Sequence, residues 1–236
     1  MKQLCASVLI SISFLGVACG DHAASPDAPG LDGAGTCRHV LYVNFEEQAV
    51  VKAPVDNAQT NTSSLAKADV TVPAYRPADP DRASKIGAIT TQVQTTLAPF
   101  GVGVVVDRPA TGPYAMVLMG GDSVAVYGFA GVGAIASSDC TTGLPQGVGF
   151  VFAGNLDPMG TMQAMIANQV VALYGILNRV PLSSTPGDCM CFADSTCTFA
   201  NTACTIGGPA TPRSTRGCGA GDTFDEAAAF HALVCP

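Results

Sequence analysis

The chain has 236 residues, 48% of them hydrophobic and 12% charged, with a net charge of -7 and a pI near 4.7. This length allows one domain with a sizeable core or at most two small ones, and so apolar a composition excludes a largely disordered chain. No basic stripe is available to neutralise phosphates, which argues against a nucleic-acid partner, and the lack of Trp weakens any sugar-stacking platform.

The N-terminus has the layout of an export signal. Lys2 supplies a short positive region, and Leu4 to Val17 form an apolar stretch too short to span a bilayer comfortably. It ends at Gly16-Val17-Ala18-Cys19-Gly20, which resembles a bacterial lipoprotein cleavage site with the usual Leu one place further back, at Leu15. These features predict a signal peptide over residues 1–18 and lipid on Cys19. Gly20 to Thr36 is rich in Gly, Ala, Pro and Asp and has no apolar period, so residues 19–36 read as a flexible tether to a domain over 37–236. A lipid on Cys19 would hold that domain at a membrane, in the cell envelope, either periplasmic or surface-exposed.

Once Cys5 leaves with the signal and Cys19 carries lipid, eight cysteines remain: Cys37, Cys140, Cys189, Cys191, Cys197, Cys204, Cys218 and Cys235. An even set in an exported protein suits disulfides, although sequence does not give the pairing. The cluster Cys189, Cys191, Cys197 and Cys204 lacks the CxxC spacing of a zinc site and reads as disulfide-bonded.

Along the domain, His39 to Phe45 is a β-branched and aromatic first strand. Glu46 to Ala78 is polar and shows no period. A helix follows, with Asp79 as cap, Pro80 at its first position and Ile86, Ile89, Val93 and Leu97 at helical spacing, and Pro99 ends it. Gly101 to Val106 and Tyr114 to Met119 read as strands, and the strand–helix–strand order predicts parallel pairing. Gly128, Gly131 and Gly133 do not lead from a strand into a helix, so they read as structural glycines and not as a phosphate loop. Gly147 to Phe152 is one more short buried strand.

Asp157 and Pro158 then mark the start of a central helix, apolar nearly all round and therefore buried. The chain closes with Thr223-Phe224-Asp225-Glu226, a capping-box pattern leading into Ala227 to Val234.

Within the central helix, Asn168-Gln169, Ala172, Gly175 and Asn178 are spaced as the metal ligands, general base and glycine of HExxHxxGxxH, and Asp188-Cys189-Met190-Cys191 follows. The pattern resembles the metzincin zinc peptidases, with Met190 placed like the residue of their Met-turn. The likeness runs from about Val40 to the C-terminus. It includes Ala98 to Asp107, Tyr114 to Gly121, and Ala130 to Ala136 with Asp139-Cys140, the last resembling the edge strand that lines the family's substrate cleft. It implies an α/β fold: a twisted, mixed and mostly parallel sheet, a backing helix, a central active-site-type helix and a disulfide-rich C-terminal part.

The chemistry of such a site is missing. Asn168 offers a poor zinc ligand, Ala172 offers none, and the Gln169 amide is not basic enough to take a proton. His22, His39 and His231 are scattered, there is no GxSxG elbow, and Asp222, Asp225 and Glu226 read as a helix N-terminal turn. The expectation is therefore a catalytically inactive metzincin-like envelope lipoprotein without a cofactor. It would be a binding or structural module, taking peptide or protein along an edge strand as the family does. The competing readings are an active zinc metallopeptidase with non-standard ligands and an unrelated disulfide-stapled envelope domain.

Overall fold

The computed structural model describes residues 39–191, 197, 201–207, 209–210, 218 and 223–233. The predicted signal, the tether, Cys19, Cys37 and Cys235 lie outside the described residues. The first strand forms as β1 (His39–Asn44), buried from Val40 onward as its unbroken apolar run requires. The aperiodic stretch after it contains a small sheet of β2 (Gln48–Lys52), β3 (Thr62–Ser63) and β4 (Val70–Val72), in the order β3-β2-β4. Strands of two to five residues are too short to print a period in the sequence.

Helix α1 (Arg82–Leu97) begins later than Asp79 and Pro80 predict. The Asp79 carboxylate accepts from Asp81 N at 2.9 Å and pairs with Lys85 at 2.6 Å, so it closes a turn ahead of the helix. Ile89, Val93 and Leu97 bury one face, at the predicted spacing. Arg82 ties the helix start to the end of β1, its Nε donating to Tyr75 O at 2.7 Å and its Nη2 to Phe45 O at 2.8 Å.

Next come β5 (Val102–Val105), β6 (Ala115–Met119), the short α2 (Ser123–Val126), β7 (Ala134–Ala136), β8 (Val148–Val151) and the short α3 (Ala153–Leu156). The main sheet runs β5-β1-β6-β8-β7. Its first four strands are parallel, as the strand–helix–strand order predicts, and β7 closes one edge antiparallel to β8, with Ala134 opposite Val151. The fold is therefore α/β with a mixed, mostly parallel sheet.

Alternation along the strands sorts the core into two layers. Leu41, Val43, Val117 and Met119 face α1 and the central helix, whereas Tyr42, Met116, Leu118 and Phe150 face the small sheet. Gly128 and Gly131 adopt left-handed backbone, at φ +97° and +74°, which supports their structural reading.

The central helix, α4 (Gln163–Leu177), starts five residues after Pro158, and Asp157 is not its cap. The buried Asp157 carboxylate instead accepts from Thr161 N at 2.9 Å and Met162 N at 2.8 Å, closing the turn before α4. After α4, β9 (Pro209–Ala210) pairs antiparallel with β10 (Phe224–Asp225), and α5 (Glu226–His231) follows. The cap of α5 is Asp225, which accepts from Ala228 N at 2.8 Å; the Thr223–Glu226 box does not form, because Glu226 is buried elsewhere.

Among the described residues, three disulfides staple the C-terminal part: Cys140–Cys218, Cys189–Cys204 and Cys191–Cys197. They are compatible with an exported protein. No helix among the described residues is long and apolar enough to cross a membrane.

Candidate functional site

Every residue of α4 from Gln169 to Leu177 is buried, as its all-round apolarity predicts. Asn168 is the last residue before that stretch, and its amide makes three hydrogen bonds. Its Oδ1 accepts from Gln92 Nε2 of α1 at 2.8 Å and from Cys204 N at 3.0 Å, while its Nδ2 donates to Thr202 O at 2.8 Å. A residue at the first ligand position thus joins two helices to the disulfide loop.

Gln169, at the general-base position, differs from its neighbour. It is 5% exposed and its side chain has no hydrogen-bond partner among the described residues. It lines a cavity of about 50 Å³ together with Asn168, Asp188, Thr202 and the Cys189–Cys204 and Cys191–Cys197 disulfides. Ala172, one turn further along, is buried in the apolar core.

Gly175 does not turn the chain. It lies inside α4, and what its missing side chain allows is contact: a Cβ there would overlap Met190 Sδ and come within 3.2 Å of Phe230 Cζ. Met190 therefore does sit against the central helix. The helix ends only after Leu177, where Val180 N donates to Gly175 O at 2.9 Å and Arg179 takes the left-handed position at φ +70°.

Asn178 caps this end, its Nδ2 donating to Tyr174 O at 2.9 Å. At 3.6 residues per turn it lies roughly 80° round the helix from Asn168. It lines a separate cavity of about 190 Å³ with Thr142, Arg179 and Ala229. The structure thus brings Asn168 and Gln169 to one cavity, leaves Ala172 in the core and sends Asn178 to another.

Sequence reading missed a carboxyl pair beside the first cavity, the buried Glu226 and the half-buried Asp188. Glu226 is fully buried; its Oε1 accepts from Met190 N at 3.2 Å and its Oε2 from Gly207 N at 3.1 Å. Asp188 Oδ1 also accepts from Met190 N, at 2.7 Å. Burial, together with the hydrogen bond and the charge of Asp188, pushes the Glu226 carboxyl up to about 9. Glu226 is therefore held towards its protonated form. In the sequence it looks like an ordinary first-turn acid, and no local signal distinguishes the two.

These residues do not fit a zinc ion. Asn168 spends its amide on protein partners, Ala172 has no donor atom and Asn178 faces elsewhere. The histidines do not supply the lack. His39 donates Nε2–H to Leu233 O at 3.2 Å, the His231 ring lies 4.8 Å from that of Phe100, and His22 is outside the described residues. Among the described residues no group of three or more His, Cys, Asp or Glu is arranged to hold a metal. The chain matches no family model, no curated protein and no solved structure. Its function is therefore argued from geometry.

Proposed function

We propose that this chain is a catalytically inactive, metzincin-like domain of an exported, lipid-anchored envelope protein, and that it binds peptide or protein in extended form along β7. The observation that carries the reading is the state of that strand. It is hydrogen-bonded to β8 on one side, and its other side has no backbone partner among the described residues. An open edge of this kind accepts an extended chain through main-chain hydrogen bonds and needs no metal. Phe129, 64% exposed just ahead of β7, supplies an apolar contact for such a chain. The family likeness rests on an antiparallel edge strand in the expected region, on a buried helix with the ligand spacing, and on Met190 lying against Gly175. The loss of catalysis rests on the residue types at positions 168, 169 and 172.

Panning a random peptide library against the oxidised protein, followed by hydrogen exchange of the complex, tests this. Slowed exchange over residues 131–137 on peptide binding is expected. Protection confined to other elements would remove the edge-strand role. Near-stoichiometric zinc together with peptide hydrolysis would establish the metallopeptidase alternative.

A further inference from the structure

A cavity of about 330 Å³ opens at the carboxyl ends of the parallel strands. Gly120 and Gly121, directly after β6, and Ala153 and Gly154, after β8, line it. Tyr75 and Arg76 line it too, and they are tied to the end of β1, since Tyr75 N donates to Phe45 O at 2.9 Å. The strand order places this cavity at a switch point. β1 leads through α1 to β5 on one side of it, and β6 then follows on the other. In open α/β sheets the crevice outside the carboxyl ends of such strands is where small ligands bind. The volume also reaches the range of small-molecule pockets, about 300–1,000 Å³, which the two cavities beside α4 do not.

Two neighbouring donors there lack acceptors. The Tyr75 hydroxyl and the Arg76 Nε are buried without a hydrogen bond among the described residues. The guanidinium makes one hydrogen bond there, from Nη2 to Asp157 O. Its acidic neighbour is shared, as Asp79 stands 3.6 Å from Arg76 Nη1 but 2.6 Å from Lys85 Nζ. The Asp157 carboxylate is taken up by Thr161 N and Met162 N. Arg76 is thus the one charged residue lining the cavity, with a side chain 20% exposed and short of acceptors. Its backbone is left-handed, at φ +44°, the kind of strain a fold retains where a side chain must be held in place.

Gly154 has no local reason to be glycine. It lies in α3 without a positive φ, and a Cβ there would meet no atom within 4 Å. In a helix glycine is less stable than Ala by about 0.5–1 kcal/mol, and here it leaves space open at the cavity.

We propose that this cavity binds a small organic carboxylate, held by the Arg76 guanidinium and the Tyr75 hydroxyl. The planar fork of Arg matches a carboxylate. A single lining charge, in a protein of net charge -7, disfavours a dianion such as phosphate. The space, with Ala74, Ala153 and Pro158 in its wall, suits an apolar body and roughly ten non-hydrogen atoms in all. This site is separate from β7 and goes beyond the peptide-binding reading.

Sodium benzoate, titrated into the oxidised full chain at constant ionic strength, is the probe, with the amides of Gly120, Gly121 and Gly154 followed by nitrogen–proton NMR. Saturable shifts are expected there, with a dissociation constant on the order of 1 mM. Benzamide, which keeps the shape and loses the charge, and phosphate are each expected to bind at least about tenfold more weakly. Arg76→Gln is expected to weaken benzoate at least about tenfold. Gly154→Leu should do the same by filling the cavity. It is expected to fold, because the added Cβ meets no protein atom and Leu favours a helix. Thermal melts check both variants.

A short peptide with a free C-terminus is then compared with its C-terminal amide and with benzoate. Tightest binding of the free acid peptide assigns the carboxylate to a chain end, and tightest binding of benzoate assigns it to a free acid; either supports the site. Absence of saturable shifts at these glycines, equal binding of benzamide, tighter binding of phosphate, or full affinity in both variants overturns the proposal. Benzoate has no main chain to pair with β7, so its result and the hydrogen-exchange result on β7 fail independently.

Discussion

Met190 Sδ occupies the space over Gly175 that any larger residue at 175 would need, so the turn after Asp188 and the central helix are fitted to each other through one missing methyl group. Gly to Ala inside a helix normally adds up to about 1 kcal/mol of stability. Here the overlap with Met190 is expected to dominate, as overpacking costs about 1–3 kcal/mol. Gly175→Ala should therefore lower the urea unfolding free energy, by about 2 kcal/mol. In a Met190→Ala background the same change should become neutral or stabilising. A double-mutant cycle without that reversal would separate the two residues.

The Asp188–Glu226 pair gives stability a defined pH dependence. Folding raises the Glu226 carboxyl from its ordinary 4.5 to about 9, chiefly by burial. Between those values the native state holds a proton that the unfolded chain releases, so stability is full below about 4.5 and declines as pH rises towards 9. His39, whose ring burial pushes below 6.5, acts in the opposite direction and only in acid. Urea midpoints measured from about pH 7 to 9 isolate Glu226 and should fall steadily. Glu226→Gln should flatten that slope and hold or raise stability towards pH 9, where the wild-type carboxyl must take up a proton on folding and a neutral amide need not. An unchanged slope in the variant would assign the decline to other groups.

The contrast between Asn168 and Glu226 marks what a single sequence can convey. The parallel strands, the buried central helix and the cysteines as disulfides were legible, because period, apolar run and parity are local or countable features. That Asn168, Gln169 and Ala172 share one helix was legible too, but the directions of their side chains were not. The chain continues helically through Gly175, and this carries Asn178 to another cavity. Glu226 has the look of any first-turn acid, since its burial depends on Met190 and Gly207, distant in the chain, reaching its carboxyl. The caps shifted for a related reason: Asp157 and Asp225 each sit near a helix start, and which amides they reach is decided by the turn and not by the residue type.

Tyr174 is the neighbour of Gly175 and leaves its hydroxyl buried without a hydrogen bond among the described residues. Burial also pushes its pKa well upward. Removing an unpaired buried hydroxyl while keeping the ring relieves a desolvation penalty of about 1 kcal/mol or more. Tyr174→Phe is therefore expected to hold or raise the melting temperature. Destabilisation by more than about 1 kcal/mol would mean that the hydroxyl has a bound partner, such as an ordered water.

Installing the HExxH residues by Asn168→His, Gln169→Glu and Ala172→His is expected to damage the fold without creating a peptidase. The first change breaks three hydrogen bonds that link α1, α4 and the disulfide loop, with about 2–3 kcal/mol expected from the partners left unpaired. The third forces an imidazole into a fully packed position, which adds about 1–3 kcal/mol more. Two histidines one turn apart can still share a zinc ion weakly, but Asn178, the third position, faces a different cavity. The expected result is a lower melting temperature, sub-stoichiometric zinc and no peptide hydrolysis. A stable variant with one tightly held zinc and measurable turnover would show that the end of α4 can rearrange to bring position 178 to the site. The inactive reading would then rest on residue identity alone, with the helix no obstacle.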